Sequence, residues 1–163
     1  MAPEPGPQLR LAGGADAAAI RDLVRAAYAK WVPVIGREPL PMGVDYDLAL
    51  RENRFDLLMS DQQLVGLIET ARHDDHLMIV NLAVAPEHQG RGNGRRLLAH
   101  AESLAAAAGV NRLRLYTNGR FDENIALYRR LGYAIDREEP FRGGVVVHMS
   151  KQIERRAPRH GQG

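Results

Sequence analysis

Gln89-Gly-Arg-Gly-Asn-Gly94 places glycine at every second position, with Arg91, Arg95 and Arg96 among and just after them. Glycine carries no Cβ, so its backbone N–H groups can approach an anion closely. Before the turn, Leu77 to Ala85 is mostly apolar and reads as a central strand. After it, Leu97, Leu98, Ala101, Leu104, Ala105 and Ala108 recur at helical spacing. The turn therefore sits at a helix N-terminus, where free N–H groups and the helix dipole attract negative charge. Each arginine there opposes that dipole by roughly 0.3–1 kcal/mol, and no Asp or Glu stands between Glu87 and Glu102 to balance them. A multivalent anion held between the cations resolves the conflict. Two other phosphate loops fail on spacing: G-x-G-x-x-G needs a third glycine where Arg95 stands, and no Gly-Lys-Ser/Thr is present.

Other chemistry is bounded by what the chain lacks. Its 163 residues contain no cysteine, which excludes a disulfide framework, a thiolate zinc site, an iron–sulfur cluster and a cysteine nucleophile. His73-Asp-Asp-His76 crowds two His and two Asp into one turn; four neighbours in sequence cannot all converge on one ion, so no metal is expected. The net charge is only +2, which argues against a nucleic-acid footprint. The 22 basic residues are 20 Arg with Lys30 and Lys151 alone as lysines, a bias that composition explains outside the glycine turn. No run of 18 apolar residues exists, so no membrane span is expected. The first residues, with three Pro and no basic or apolar leader, point to a cytoplasmic protein.

The elements that must position this chemistry follow from periodicity. Gln8–Ala12, Phe55–Ser60, Gln63–Thr70, Leu77–Ala85, Arg112–Thr117, Tyr133–Arg137 and Val145–Lys151 read as strands, the second and third joined as a hairpin at Asp61-Gln62. Asp16 is the expected N-cap of a helix with the stripe Ile20, Leu23, Val24, Ala27, Tyr28 and Trp31, and Pro33 is expected to end it. Residues 34–42 read as a loop and 45–53 as a second helix. A last helix covers Asp122–Leu131 and stops at Gly132. The order predicts an α+β domain in three layers over 8–152: a central mixed, mostly antiparallel sheet flanked by helices. Residues 1–7 and 153–163 are expected to be flexible tails.

Two segments carry a resemblance. Asn81-Leu-Ala-Val-Ala-Pro-Glu-His-Gln-Gly-Arg-Gly-Asn-Gly-Arg-Arg-Leu-Leu98 resembles the coenzyme A motif of the GNAT superfamily of N-acetyltransferases, with Gln89, Gly92 and Gly94 on its core pattern. Asn124-Ile-Ala-Leu-Tyr-Arg-Arg-Leu-Gly-Tyr133 resembles the second signature of that family. The resemblance covers 8–151 and implies a GNAT-like fold and a direct, acetyl-coenzyme A-dependent transfer to an amine. It implies that Leu82, Ala83 and Val84 pair with the pantetheine arm, and that Gln89, Gly90, Arg91, Gly92, Asn93, Gly94 and Arg95 hold the pyrophosphate, with Arg96 beside them. Asn124 matches a coenzyme contact and Tyr128 the donor to the leaving thiolate; Tyr128 also fits as a core tyrosine beside Ile125 and Leu131. Direct transfer agrees with the absence of cysteine.

The chain departs from the family where many relatives carry an acid just before the strand asparagine, because Val80 stands there. Glu69, ending the preceding strand, is the candidate base, acting directly or through a water; an exposed strand-end carboxylate is the competing reading. Acceptor contacts are expected from Trp31, Arg37, Glu38 and Tyr46 in the first helices and their loop, although Trp31 and Met42 equally suit the helix–sheet core. The expected activity is acetyl transfer to a small-molecule or amino-acid-like amine by a monomer or homodimer, with no membrane or nucleic-acid partner. The alternatives are a protein or peptide amine as acceptor and a non-catalytic acyl-coenzyme A sensor. An ordered 34–43 segment closing the acceptor side counts against a protein acceptor.

Overall fold

Seven strands run β1 (Gln8–Leu11), β2 (Arg54–Ser60), β3 (Gln63–Arg72), β4 (Leu77–Val84), β5 (Arg112–Asn118), β6 (Ala134–Phe141) and β7 (Gly144–Gln152) in a computed structural model that describes residues 6–154. They form one sheet in the order β1-β2-β3-β4-β5-β7-β6. All neighbours are antiparallel except β4 and β5. The helices are α1 (Ala17–Tyr28), α2 (Val32–Ile35), α3 (Tyr46–Glu52), α4 (Asn93–Ala107) and α5 (Asp122–Arg130). The expected tails lie outside the described residues except at 6, 7, 153 and 154. Among the described residues no helix is long and apolar enough to cross a membrane.

Both faces of the sheet are covered. Ile20, Val24 and Ala27 of α1 and Tyr46 of α3 pack on Phe55, Leu57, Leu67 and Ala83. On the other face, Leu97, Leu98, Ala101 and Ala105 of α4 and Tyr128 of α5 meet Leu58, Ile68, Ile79, Leu113 and Leu115. Each fully buried Leu or Ile contributes about 1.5–3 kcal/mol, so these two clusters fix the helices over the sheet. The three-layer architecture is the one expected from the sequence.

Local details correct the sequence reading twice. Asp16 occupies the expected N-cap position of α1 but makes no side-chain capping bond there: its carboxylate accepts the Gly13 N–H at 2.8 Å and pairs with Arg10 at 2.8 Å. The true capped helix is α3, where Asp45 accepts the Leu48 N–H. Pro33 does not end the helical run either. It falls in the first turn of α2, where a missing N–H costs nothing, and Gly36 at φ 74° closes that turn. The expected hairpin at Asp61-Gln62 is present, with φ of 48° and 66°, the conformation of a tight two-residue hairpin.

One irregularity decides which way the central strand faces. Glu69 pairs with Asn81 but Thr70 pairs with Ile79, so Val80 is an extra residue in β4. Such a bulge exchanges the faces of all residues beyond it. Leu77 and Ile79 point toward α4 before it, whereas Leu82 and Val84 do so after it. Ala83 is thereby turned to α1, and Asn81 to Tyr28 and Tyr46.

Candidate active site

The parallel partners β4 and β5 touch only at Leu77–Leu113, Met78–Arg114 and Ile79–Leu115. Beyond Ile79 they part, and the β4 edge has no strand beside it. Ala85 donates to the Val65 carbonyl at 2.8 Å. Because backbone groups alternate along a strand, those of Ala83 also face β3, and those of Leu82 and Val84 face the opening. Of the three residues expected to pair with pantetheine, two therefore present backbone groups to it. The Val84 carbonyl already accepts from Gln89 Nε2 at 3.0 Å, and the Tyr28 oxygen stands 3.4 Å from the Leu82 carbonyl.

This edge forms one wall of a cavity of about 450 Å³ that ends at the glycine turn. Gly90 at φ 75° and Gly92 at φ 82° hold left-handed backbone, which glycine adopts without steric penalty. Gly92 is the N-cap of α4, so the first N–H groups of that helix open on the cavity. A Cβ on Gly94 would meet Leu127 Cδ2 at 3.3 Å. The expected contacts Leu82, Ala83, Val84, Gln89, Gly90, Gly92, Asn93, Gly94, Arg95 and Asn124 all line the cavity. Asn93 also donates to the His88 carbonyl at 3.0 Å and thereby pins the turn. Arg91 is exposed and outside the lining, as is Arg96. Lys30, absent from the sequence-derived set, spans the mouth from Gln89 at 3.0 Å to Glu123 at 2.9 Å. An unpaired strand edge running to a ring of N–H donors and Arg95 fits an elongated ligand with an amide-bearing arm and a phosphate end, as coenzyme A has.

A second cavity, of about 180 Å³, lies beyond Tyr28. Glu69 lines it and is only 4% exposed, so the reading as an exposed carboxylate does not hold. Burial raises its pKa above the usual carboxylate range, although Asn53 donates to Oε2 at 2.8 Å and opposes the shift. Val80 lines the same cavity.

Beside Glu69 runs a chain of polar groups. Tyr46 donates to the Pro41 carbonyl at 2.7 Å. That carbonyl can only accept, so the Tyr46 oxygen accepts from Asn81 Nδ2 at 3.2 Å, and Asn81 Oδ1 accepts from Tyr28 at 2.9 Å. Desolvation raises both phenols above their ordinary values, which keeps them protonated as this chain of bonds requires. Sequence reasoning cited Asn81 only as the start of a motif and Tyr28 only as part of a helix stripe. The one signal for them was a polar residue in an otherwise apolar strand and helix face.

Residues 32–44 wall this cavity with Ile35, Leu40 and Val44. They are tied at several points. Arg25 donates to the Met42 carbonyl at 3.0 Å and to Glu38 at 3.1 Å. Arg120 donates to the Val34 carbonyl at 3.2 Å, and Tyr46 holds Pro41. Of the expected acceptor contacts, Arg37 and Tyr46 line this cavity. Glu38 is spent on Arg25 at the surface. Trp31 lines the larger cavity instead and stacks on Phe121 with centroids 4.6 Å apart. Tyr128 is buried in the core, its ring 5.8 Å from that of Tyr133, and lines neither cavity.

His73 and His76 stack at 4.6 Å in the β3–β4 turn. Among the described residues no three His, Asp or Glu gather as metal ligands would.

The sequence profile of the Acetyltransferase (GNAT) family matches residues 18–133. Streptothricin acetyltransferase from Streptomyces lavendulae is 34% identical over 77 residues, which is 46% of this chain and 41% of that protein. The chain thus spans less than half the length of this curated relative. The PaiA N-acetyltransferase of Thermoplasma acidophilum, solved in complex with coenzyme A, superposes with a TM-score of 0.76 at 18% identity, over 91% of this chain and 99% of that one. The ribosomal-protein-S18-alanine N-acetyltransferase of Escherichia coli gives 0.75 at 20% identity, over 94% and 97%. With the family profile spanning both signature segments and the fold shared over nearly the whole chain, the protein belongs to the acetyltransferase (GNAT) family.

Proposed function

We propose that residues 8–152 form one N-acetyltransferase domain that acetylates the amine of a small molecule with an apolar body. The tethered 32–44 segment carries this reading. It walls the acceptor cavity with apolar side chains and leaves one buried carboxylate to meet a cationic head. A peptide amine needs an open groove where this segment stands. Bound in the larger cavity, acetyl-coenzyme A would supply the activated acetyl thioester.

The chain's own groups supply the rest. The N–H groups of the glycine turn and Arg95 hold the phosphates, and the open edges of Leu82 and Val84 orient the arm once Gln89 yields the Val84 carbonyl. Glu69 takes the amine proton, directly or through a water, and its raised pKa suits it to that task better than an ordinary surface carboxylate. Tyr128, one turn from Asn124, stands at the family position of the proton donor to the departing sulfur, although its side chain is buried and lines neither cavity.

Release of free thiol from acetyl-coenzyme A over a panel of amines tests the reading, with no background from a protein that has no cysteine. Turnover of small alkyl and arylalkyl amines is expected. Turnover of peptide amines alone would overturn the small-molecule assignment. Thermal stabilisation by acetyl-coenzyme A with no transfer to any amine would identify a sensor.

A further inference from the structure

Among the described residues, Tyr28 alone lines both cavities. The open edge of β4 runs from one into the other, with Leu82 and Val84 in the larger and Val80 and Asn81 in the smaller. A thioester carried along that edge brings its acyl group to the boundary, and the boundary is the Tyr28 ring. We propose that this ring is the end wall of the acyl pocket and restricts the enzyme to short acyl groups, acetyl above longer chains.

The wall is fixed rather than swinging. The Tyr28 hydroxyl donates to Asn81 Oδ1 at 2.9 Å and lies 3.4 Å from the Leu82 carbonyl. Its ring rests against Phe121, with centroids 6.3 Å apart at 56°. Phe121 is itself stacked on Trp31 at 4.6 Å. Rotating Tyr28 aside breaks the bond to Asn81 and leaves that buried amide oxygen unpaired. A close-packed ring held at both ends does not yield to added methylenes. Discrimination of about 10-fold or more per methylene is the range such a pocket achieves. The inference rests on the acyl donor lying along β4 and is independent of which amine accepts.

The test is the dissociation constant of coenzyme A, acetyl-, butyryl- and hexanoyl-coenzyme A by calorimetry, each acyl form expressed relative to coenzyme A itself. That ratio removes any general loss of affinity in a variant. The wild type is expected to bind the hexanoyl form at least about 10-fold more weakly than the acetyl form. Tyr28→Ala, which removes the ring at the boundary of the two cavities, is expected to erase that difference. Tyr28→Phe is expected to retain it, because the ring and not the hydroxyl is the wall. Thermal unfolding checks each variant, and Tyr28→Leu replaces the alanine variant should the latter not fold.

Equal binding of acetyl and hexanoyl forms by the wild type would overturn the proposal. So would an unchanged ratio in the alanine or leucine variant. A shift in Tyr28→Phe as large as in Tyr28→Ala would assign the limit to the hydrogen bonds and overturn it too. Wild-type protein that binds no coenzyme A at all would remove the placement along β4, a failure distinguishable because it needs no acyl chain.

Discussion

Asn81→Ala removes the hub between Tyr28 and Tyr46, and the structure sets the size of the effect. Two hydrogen bonds are lost, at 2.9 and 3.2 Å, each contributing about 0.5–1.5 kcal/mol. The larger penalty for orphaned buried donors does not apply. Tyr46 keeps the Pro41 carbonyl at 2.7 Å, and the Tyr28 hydroxyl can turn to the Leu82 carbonyl 3.4 Å away. The expected destabilisation is therefore about 2 kcal/mol. For a domain of this size that lowers Tm by roughly 4–8 °C. Urea unfolding should show a lower midpoint at an unchanged slope, since the surface exposed on unfolding is the same. A double-mutant cycle with Tyr46→Phe isolates the Asn81–Tyr46 bond, and a coupling of about 0.5–1.5 kcal/mol is expected. In kinetics, the KM for the amine should rise more than the dissociation constant of coenzyme A, because Tyr46 ties Pro41 to the acceptor cavity. A coupling indistinguishable from zero, or a total loss below about 0.5 kcal/mol, would show that the network does not hold these elements together.

Four further outcomes are expected. Glu69 has a folded-state pKa above its unfolded value, so its contribution to stability is present below the unfolded pKa and is lost as pH rises through the folded one. Glu69→Gln should thus be more stable than wild type at neutral pH, with the gain vanishing in acid, while kcat falls by about 100-fold or more if Glu69 is the base; a variant less stable at pH 7.5 contradicts this. Gly92→Ala, at φ 82° with open space around the new Cβ, should cost about 1–2 kcal/mol from backbone strain alone. Gly94→Ala should instead leave stability intact and weaken coenzyme A binding, since its Cβ meets Leu127 across the cleft, and equal stability losses for the two variants would refute the distinction. Tyr128→Phe should lower kcat by at least about 100-fold with folding intact if its phenol protonates the sulfur; unchanged turnover removes it from that role.

What was legible in the sequence is what neighbouring residues write together. The glycine turn, its arginines, the strand before it and the helix after it are contiguous, and their chemistry follows from backbone N–H groups and the helix dipole. The stripes of α1 and α4 and the hairpin at Asp61-Gln62 are local as well, and the structure keeps all of them. Asp16 and Pro33 mislead because one type of residue serves two local purposes. An Asp that caps a helix can equally bind a neighbouring arginine and turn, and a Pro that stops a helix can equally start one.

The second cavity was not legible in this way. Its polar chain joins Tyr28, Tyr46, Asn81 and the Pro41 carbonyl, and its carboxylate pairs with Asn53, with the Tyr28–Asn81 bond closing a separation of 53 residues. Alternation read from Leu77 and Ile79 would send Asn81 into the apolar layer under α4. The bulge at Val80 sends it to the other face, and a bulge is set by pairing with β3 rather than by the composition of β4. The sequence by itself determined a glycine turn between a central strand and a helix and the layers around it, because those depend on local propensity and periodicity. Only the tertiary structure decided that β4 and β5 part after Ile79, that Glu69 is buried in the second cavity, and that Tyr28 stands between the two cavities. Those facts depend on register and on contacts between distant segments, which no local pattern encodes.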